Sequence, residues 1–415
     1  MTTVELAIES LAFGGEGVGR LDGRAVFVRG ALPGERVRVE LDTRDRTLRG
    51  RLREVLTPSA DRVEPPCEIA SRCGGCPLMH ASEGARARYR AEVVERELRR
   101  ALGELPPDVA HHGSPRALGA RTRARLRVIG GRPAVVGFVE ARGSRVVGVP
   151  RCVALDAALA PVFDTLRSLA DDSRLRAEAR VALGAQGLPV ISLATEGDPP
   201  TSLFTRAERA VTDARVAGIS ILVGGAKAPA VIGDPTAWTV GADGAPLHVP
   251  DGGFAQANPE VSVALGQHVA KVARAAGARV VELFSGAGNL TTLLARGAAS
   301  YRAVEADAAA SRACSENLAA RGLSATVVTG DADACELARA TEVVVLDPPR
   351  AGARRACDAI ASSRARRVVY VSCDPTTLGR DARALAASGF RATSVASWDM
   401  FPQTAEVETV VAMER

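Results

Sequence analysis

Cys373 occupies a position from which a side chain can reach a bound molecule. It ends the apolar, β-branched run Val368-Val-Tyr-Val-Ser and precedes Asp-Pro-Thr-Thr, a pattern that indicates a buried parallel strand followed by a loop. A thiol at such a place is a candidate nucleophile. Cysteine is also common as a small buried hydrophobic residue, so the interpretation depends on what the neighbouring strand ends carry.

Two strand ends upstream carry ligand-binding patterns. One apolar run leads into Asp347-Pro-Pro-Arg350, and another leads into a glycine-rich turn with Gly286 and Gly288. Ligands of open α/β sheets bind outside the carboxyl ends of the strands, so the three ends predict one pocket beside the Cys373 thiol. A cofactor in that pocket favours a catalytic cysteine. The alternative for the Asp347 loop is a rigid turn that caps the next helix.

The glycine-rich turn favours one class of cofactor. Glu305 ends the next apolar run, where a carboxylate can bind both ribose hydroxyls of an adenosine. The third glycine of the dinucleotide fingerprint is missing, because Asn289-Leu-Thr follows Gly288, and no pyrophosphate turn is required. The pattern therefore favours S-adenosylmethionine, with an NAD-dependent enzyme as the weaker alternative. A helix is predicted from Asn289 to Ala295.

Four cysteines form a second candidate site. Cys67, Cys73 and Cys76 lie close together, with two glycines between the last two, and Cys152 can complete a Cys₄ set. A compact triplet with one distant partner favours a [4Fe–4S] cluster. Four thiolates also form structural zinc sites, so zinc is the alternative. Eight cysteines in 415 residues are too few for a disulfide scaffold.

A run of alternating arginines predicts a nucleic-acid contact. Between Asp108 and Glu140 the chain has six arginines and no acidic residue. Four of them alternate with other residues, so in a strand they share one face; they are Arg121, Arg123, Arg125 and Arg127. Such a face is often merely solvated. Four arginines without neutralising acids repel one another, however, and this favours a polyanion such as RNA as the partner.

The elements around these motifs predict several domains. Short alternating runs up to about residue 58 predict a small β-barrel, and Ser82 to Leu102 is predicted to be a basic amphipathic helix. The part from Ala117 to His248 is rich in strands, with one helical stretch from Ala157 to Ala179. From Asn258 onward strands alternate with helices, which indicates a mostly parallel α/β sheet.

The composition is that of a globular protein, with 47% hydrophobic and 24% charged residues and a formal net charge of +5. No apolar run approaches the roughly 18 residues of a membrane span. The N-terminal segment lacks the pattern of a signal peptide. We expect a cytoplasmic monomer that makes no membrane contact.

The chain resembles the RNA uracil-5-methyltransferase family, specifically the iron–sulfur branch that modifies 23S ribosomal RNA in bacteria. The resemblance covers nearly the whole length. It rests on the cysteine set and on four further segments, which are Leu11-Ala-Phe-Gly-Gly-Glu-Gly-Val-Gly-Arg20, Phe254-Ala-Gln-Ala-Asn258, Leu283-Phe-Ser-Gly-Ala-Gly-Asn289 and Ser372-Cys-Asp-Pro-Thr-Thr-Leu-Gly-Arg-Asp381.

The resemblance implies a role for each part of the chain. It implies a TRAM domain, an OB-like RNA-binding β-barrel, over residues 1–58. It implies a β-rich central domain with the iron–sulfur site over 59–83 and 114–248, and a C-terminal α/β Rossmann-like class I methyltransferase domain over 84–113 and 249–415. The cofactor-binding residues that it implies are Gln256, Phe284, Gly286, Gly288, Asn289, Glu305, Asp331 and Asp347.

The reaction implied is methyl transfer from S-adenosylmethionine to C5 of a uridine. Uracil C5 is a weak nucleophile, and addition of the Cys373 thiolate to C6 makes it reactive. Glu408 stands at the position of the family's general base, which removes the C5 proton. Gln403 and Glu406 stand where the family usually has histidines, a departure that bears on how Glu408 is oriented.

Three alternatives stay open beside a 23S rRNA enzyme. A tRNA uridine-C5 methyltransferase would use the same chemistry. RNA cytosine-5-methyltransferases place a second cysteine in the Asp-Pro-Pro turn, and residues 347–350 contain none. A non-catalytic RNA-binding or chaperone protein would not need Cys373 and Glu408. Which uridine is modified is not encoded in any of these motifs.

Overall fold

The alternating runs at the N-terminus form a closed five-stranded barrel, as predicted. The computed structural model describes residues 2–42 and 47–415; Met1 and residues 43–46 of the predicted barrel domain lie outside the described residues. The strands follow the order β1-β2-β3-β5-β4 around the barrel. They are β1 (Thr3–Leu11), β2 (Glu16–Leu21), β3 (Arg24–Arg29), β4 (Arg36–Asp42) and β5 (Leu48–Thr57). Alternate apolar side chains fill the interior, as a strand period of two requires.

Helix α1 (Glu83–Leu102) lies close to its predicted bounds. The Ser82 side chain caps its N-terminus by accepting a hydrogen bond from the Ala85 N–H. Val94 and Leu98 on one face are buried in the core of the C-terminal sheet. Ala85 and Tyr89 belong instead to a small apolar cluster shared with the barrel. The helix thus connects the two ends of the chain.

A seven-stranded sheet forms the middle of the chain, in the order β13-β12-β11-β10-β7-β8-β9. Its strands are β7 (Arg123–Ile129), β8 (Val135–Val139), β9 (Val146–Gly148), β10 (Arg176–Leu183), β11 (Pro189–Thr195), β12 (Gly218–Leu222) and β13 (Ala230–Gly233). Helices α2 (Pro161–Ala170) and α3 (Ser202–Thr212) supply buried side chains to the core of this sheet.

The helix predicted from Ala157 to Ala179 is shorter than expected. A 3-10 turn precedes α2, and the helix ends at Asp171, after which Asp172 has a left-handed backbone with φ 54°. The last part of the predicted helix lies in β10, where it pairs with both β7 and β11. Tertiary pairing therefore overrides the local helical pattern there.

The C-terminal part is an eight-stranded sheet in the order β18-β17-β16-β19-β20-β22-β21-β6. Its strands are β6 (Val109–His112), β16 (Arg279–Leu283), β17 (Ser300–Glu305), β18 (Thr326–Thr329), β19 (Val343–Leu346), β20 (Arg367–Ser372), β21 (Arg391–Trp398) and β22 (Glu408–Glu414). A separate two-stranded ladder is formed by β14 (Ala237–Val240) and β15 (Pro246–Val249).

The strands β16 to β20 run parallel to one another, as their continuous apolar runs predict. The accompanying helices are α4 (Pro259–Ala273), α5 (Thr291–Leu294), α6 (Ala308–Ala319), α7 (Arg354–Ser362) and α8 (Pro375–Ala387). The helix predicted from Asn289 to Ala295 is reduced to α5, because turns occupy the preceding positions. No helix in the described part of the chain is long and apolar enough to span a membrane.

Candidate active site

The carboxyl ends of five adjacent strands bring predicted site residues to one edge of the C-terminal sheet. In spatial order β18, β17, β16, β19, β20, these strands are followed or ended by Asp331, Glu305, Gly286, Asp347 and Cys373. Glu408 reaches the same edge from the opposite direction, because it begins β22, which runs antiparallel to β20 with Thr409 opposite Ser372. The topology thus places a thiol and a carboxyl group side by side.

The cofactor end of this edge is held by backbone amides. The Glu305 carboxylate accepts hydrogen bonds from the N–H groups of Gly286, at 2.9 Å, and Asp307, at 2.8 Å. Gly286 has φ +56°, and a Cβ there would meet nothing within 4 Å. The turn therefore leaves open space beside an oriented carboxylate, which suits a ribose.

Close packing against α6 requires a glycine at position 288. Its φ is +89°, and a Cβ at this position would lie 2.8 Å from the Cys314 sulfur on α6. Asn289 is also engaged within the fold, since its Oδ1 accepts from the Ala242 N–H at 3.0 Å and its Nδ2 donates to Ser262 Oγ at 3.3 Å. Both residues hold the turn in place, and a direct contact with a cofactor stays a prediction for them.

Three further predicted cofactor residues have defined surroundings within the fold. Phe284 has a left-handed backbone with φ 61° and packs partly buried against the sheet core. Gln256 is buried, in a segment whose neighbour Ala257 accepts a hydrogen bond from the Thr122 N–H at 2.8 Å. Asp331 accepts from the N–H of Asp333 at 2.9 Å.

The Cys373 thiol sits among charged groups. Burial raises its pKa to about 12, the negative charge of Glu408 acts in the same direction, and the Arg350 guanidinium opposes both. Arg350 interacts with the Cys373 thiol and forms an ion pair with Glu406. A cation beside a thiol favours the thiolate, which is the nucleophilic form.

The role of Arg350 was not foreseen from the sequence. It stands directly after the prolines that fix the Asp347 turn, and this turn ends the strand next to β20. A rigid turn at that point aims the following side chain at the neighbouring strand end. The Asp-Pro-Pro-Arg motif indicated a rigid turn before Arg350. The direction in which the Arg350 side chain points depends on the order of the strands in the sheet.

Glu408 is a buried carboxyl group, and the neighbouring Asp347 is partly buried. The pKa of Glu408 is raised to about 8, mainly by burial and also by the negative charges of Asp347 and Glu406, while Arg350 opposes the shift. Burial also raises the pKa of Asp347 to about 6. Glu408 therefore tends to hold a proton at neutral pH in the free protein, and it must lose that proton before it can act as a base.

Asp381 fixes the Asp347 turn against the Cys373 strand. Its fully buried carboxylate accepts from the Ala353 N–H, the Tyr370 hydroxyl and Arg380 Nε, each at 2.8 Å. Gly352 is needed at this contact, since a Cβ there would lie 2.5 Å from Asp381 Oδ2. The turn and the strand end are thus tied to one carboxylate, which preorganises the thiol and its neighbours.

The four predicted metal ligands gather at the start of the central sheet. The Cys73 backbone forms an isolated antiparallel β-bridge with Glu140, and the Gly74 N–H donates at 3.0 Å to the carbonyl of Val139, the last residue of β8. Burial raises the pKa of Cys76 to about 12; Arg121 opposes this, and the thiols of Cys152, Cys73 and Cys67 add to it. All four cysteines are free thiols. Within residues 2–42 and 47–415 no cluster of potential ligands has the geometry of a metal site.

The arginine strand differs from the prediction in two respects. Arg125 lies 3.4 Å from Glu178, and Arg127 lies 3.7 Å from both Glu178 and Glu196. The expectation that all four arginines lack neutralising acids is therefore wrong for these two. The acids come from β10 and the residues beyond β11, far along the chain, so the local sequence could not reveal them.

The prediction of one strand with four arginines is also wrong for Arg121, which lies before β7, whereas Arg123 begins that strand. Burial alone lowers the pKa of Arg123 to about 10. The guanidinium carbon of Arg121 lies 4.8 Å from the centroid of the Phe401 ring, a cation–π contact. One terminal nitrogen of each side chain is buried without a hydrogen-bond partner in the described structure. The four arginines therefore form two paired and two unpaired positions.

The fold and the site together define a Rossmann-like α/β enzyme with a cofactor edge and a thiol beside it. A family model described as tRNA (Uracil-5-)-methyltransferase matches residues 243–415, and a model of the TRAM domain matches residues 1–52. The 23S rRNA (uracil(1939)-C(5))-methyltransferase RlmD of Pseudomonas putida is 34% identical over 99% of this chain and 93% of that protein. The protein of the same name from Edwardsiella ictaluri is 33% identical over 96% of this chain and 93% of its own length.

A solved structure shares the whole fold. The tRNA (uracil-54, C5)-methyltransferase of Pyrococcus abyssi, in complex with S-adenosyl-L-homocysteine, superposes with a TM-score of 0.77 at 22% identity, covering 99% of this chain and 100% of that chain. The chain belongs to the RNA uracil-5-methyltransferase family, whose members use S-adenosylmethionine. This confirms the resemblance seen in the sequence.

Proposed function

We propose that this protein transfers a methyl group from S-adenosylmethionine to C5 of a uridine in 23S ribosomal RNA, through a covalent bond between Cys373 and C6. The observation that carries the proposal is the meeting of Cys373, Arg350 and Glu408 at the same sheet edge as Gly286 and Glu305. The names of the RlmD relatives support 23S rRNA as the substrate.

The residues present fit S-adenosylmethionine. The Glu305 carboxylate, held by two backbone amides, suits the ribose hydroxyls, and the open space at Gly286 admits a ligand against the backbone. We assign the cofactor to these two residues together with Gln256, Phe284, Gly288, Asn289, Asp331 and Asp347. When bound, the cofactor supplies a methyl group on a positively charged sulfur.

The first step forms the bond between the Cys373 sulfur and C6 of uracil. The thiol must lose its proton, and burial opposes this while Arg350 favours it. Addition of the thiolate to C6 converts the C5–C6 double bond to a single bond, and its π electron pair moves towards C5 and O4. C5 is then nucleophilic enough to accept the methyl group, so covalent catalysis divides one difficult step into easier ones.

The final step releases the product. After methylation C5 still carries its hydrogen, and the Glu408 carboxylate removes it as a proton. The electron pair of the C5–H bond re-forms the C5–C6 double bond, and the Cys373 thiolate leaves. Glu408 suits this role because it starts the strand beside the thiol and is shielded from solvent.

In this proposal RNA is bound by the barrel and by the central domain. The target uridine must leave its stack to reach a buried thiol, which costs a few kcal/mol unless it lies in a loop. The TRAM barrel and the arginine run Arg121, Arg123, Arg125 and Arg127 are the proposed RNA contacts. Arg125 and Arg127 are the more exposed members, whereas Arg121 and Arg123 each have a buried terminal nitrogen. Arg125 and Arg127 would exchange partners with Glu178 and Glu196 when phosphates bind. We retain 1–58, 59–83 with 114–248, and 84–113 with 249–415 as the proposed domains.

The cysteine site is proposed to hold a [4Fe–4S] cluster through Cys67, Cys73, Cys76 and Cys152. The donor set fits, because four free thiols act on one another electrostatically and positive charge lies beside them. Arg29 donates to the Cys73 carbonyl at 3.1 Å, and Arg121 has a buried nitrogen without a partner. These cations suit an anionic cluster, whose role would be to fasten the loop to the central sheet. The alternative is a structural zinc ion bound by the same four thiolates.

The substrate assignment is tested by methylation of defined RNAs. Purified protein, S-adenosylmethionine and either 23S rRNA or a tRNA pool are incubated, and the nucleosides are separated by mass spectrometry. We expect 5-methyluridine in 23S rRNA at one position. Methylation confined to tRNA would refute the ribosomal substrate, and 5-methylcytidine as the product would refute the uracil assignment.

A further inference from the structure

Arg121 stands between the cysteine site and the connection that leads to the catalytic base. Its backbone pairs with the Cys152 loop, where its N–H donates to the Ala154 carbonyl at 3.1 Å. Its positive charge acts on the thiols of Cys76 and Cys152. Its guanidinium lies 4.8 Å over the Phe401 ring. Arg121 thus joins the two regions, through its backbone at the Cys152 loop and through its side chain at Phe401.

Phe401 belongs to the 399–407 segment, which joins β21 to β22. The segment is held mainly by residues outside the catalytic sheet. Arg90 of α1 forms a buried ion pair with Asp399 and donates to the carbonyls of Pro402, at 3.3 Å, and Thr404, at 3.0 Å.

Two more contacts fix the middle of this segment from the N-terminal half. The Leu78 N–H, two residues after Cys76, donates to the Gln403 carbonyl at 3.1 Å. The Gln403 side chain donates to the Ala117 carbonyl at 2.7 Å. Ala405 joins Leu78 in the apolar cluster shared with the barrel and α1. The loop that carries Cys76 thus contacts the 399–407 segment directly, at Gln403 and Ala405.

The far end of the 399–407 segment reaches the chemistry. Glu406 pairs with Arg350, and Arg350 interacts with the Cys373 thiol. Glu408, the first residue of β22, follows directly. A displacement of the segment would therefore move both the cation beside the thiol and the general base.

We propose that Arg121 is a positioning residue that, through Phe401 and the 399–407 segment, couples the cysteine loop to the placement of Arg350 beside Cys373. The inference rests on the proposed function of Cys373 as nucleophile. It gives the first arginine of the alternating run a task different from that of Arg125 and Arg127, which face acidic partners instead. Disruption of the cysteine loop would then lower thiol reactivity while α1 still anchors the segment through Arg90.

The test compares four variants of the full-length protein with the wild type: Arg121→Ala, Phe401→Leu, the double variant, and Phe401→Tyr, which keeps the ring. The first readout is the rate at which iodoacetamide alkylates Cys373 in the absence of RNA, followed by mass spectrometry of the Cys373 peptide. The second is the single-turnover rate of adduct formation with 5-fluorouridine RNA at saturating RNA. Binding of S-adenosylmethionine and thermal melting check that each variant is folded.

The two single variants are each expected to slow Cys373 alkylation and adduct formation by about tenfold, with cofactor affinity within about twofold of wild type. The double variant is expected to be no slower than the singles, because both act through one contact. Phe401→Tyr, which keeps the aromatic ring, is expected to have the wild-type rates of Cys373 alkylation and adduct formation. Arg125→Ala supplies the comparison, since it should weaken RNA binding as a lost phosphate contact does.

Three results would overturn the inference. One is an Arg121→Ala protein that loses only RNA affinity and keeps the wild-type alkylation rate. Another is additive losses in the double variant, which would mean that Arg121 and Phe401 act separately. The third is normal reactivity in Phe401→Leu, which decides the question if Arg121→Ala does not fold. Failure of the wild type to form an adduct would instead contradict the proposed function. The inference about Arg121 would still be tested, because the alkylation of Cys373 is measured without RNA.

Discussion

The catalytic edge and the cysteine site are built in different ways. The residues of the catalytic edge stand at the ends of neighbouring strands of one sheet, and the register of that sheet determines their positions. The four cysteines stand in loops, Cys67 to Cys76 between the barrel and α1 and Cys152 before α2. Backbone hydrogen bonds hold both sites, but those of the cysteine site join loops rather than neighbouring strands of one sheet.

This difference has a physical consequence for each site. The register of the sheet brings Asp347, Cys373 and Glu408 together, and the Asp381 carboxylate ties Ala353, after the Asp347 turn, to Tyr370 in β20. The thiols of the cysteine site are close enough to influence one another, but the described residues show no metal-site geometry. A bound ion or cluster would contribute folding free energy at the cysteine site. We expect changes at the edge to affect chemistry directly. We expect changes at the cysteines to affect stability, and to reach the chemistry only through the 399–407 segment.

The largest effect is expected from Cys373→Ala. Without the thiol C5 cannot be activated, and methylation should fall by at least ~10³-fold. Cofactor affinity should stay close to that of the wild type, because the proposed role of the thiol is to bond to the uracil and not to bind the adenosine. Methyl transfer and equilibrium binding of S-adenosylmethionine are both measured, with Cys335→Ala as the control for loss of a half-buried thiol elsewhere. Activity within about tenfold of wild type would contradict the nucleophile assignment.

Glu408→Gln should separate methylation from release. The amide keeps the size of the side chain but cannot accept the C5 proton, so turnover should fall by ~10²–10⁴-fold. The covalent protein–RNA species should then accumulate with ordinary uridine, visible as a shifted band under denaturing conditions. Normal turnover in this variant would assign the base to Glu406 or water, and Glu406→Gln is the variant that distinguishes these two.

Cys73→Ser tests the other half of the comparison. Protein purified without oxygen should contain about four iron atoms per chain and be brown in the wild type, whereas the variant should lose iron. The melting temperature and RNA affinity should fall more than cofactor affinity does, because the loop is joined to the central sheet at Val139. Stoichiometric zinc and no iron in the wild type would replace the cluster by a zinc site. An unchanged melting temperature in the metal-free variant would remove the stabilising role.

A smaller effect is expected in the pH dependence of stability. The folded-state pKa of Glu408 is about 8, above the ordinary value of roughly 4.3 for this carboxyl. Its contribution to stability is therefore fully present below the ordinary pKa and is lost as the pH rises through 8. Glu408→Gln should match the wild type in free energy of unfolding near pH 4.5 and exceed it near pH 9. Glu414→Gln, at the other end of the same strand, is the control. Equal free energies of unfolding for Glu408→Gln and the wild type at both pH values would contradict the buried position of Glu408.

Much of the catalytic edge could be predicted from the sequence because strand ends are local signals. The apolar runs before Gly286, Asp347 and Cys373 each mark a parallel strand, and parallel strands end at a common edge. The pairing of Arg125 with Glu178 could not be predicted in this way, because it depends on β10 lying beside β7.

The 399–407 segment was equally hidden from sequence analysis. Its anchors come from α1, the cysteine loop and Ala117, which are distant in the chain. The contact between Arg350 and Glu406 likewise joins two loops that only the completed sheet brings together. Such contacts depend on tertiary packing rather than on hydrophobic periodicity.

The most direct test of the central claim uses RNA in which 5-fluorouridine replaces the target uridine. Fluorine at C5 cannot be removed as a proton, so the reaction should stop after methylation with the sulfur of Cys373 bonded to C6. We predict a denaturant-stable protein–RNA complex that depends on S-adenosylmethionine, and a nucleotide attached to the Cys373 peptide in mass spectrometry. Absence of the complex under conditions in which the same protein methylates ordinary RNA, or attachment at another residue, would contradict the mechanism.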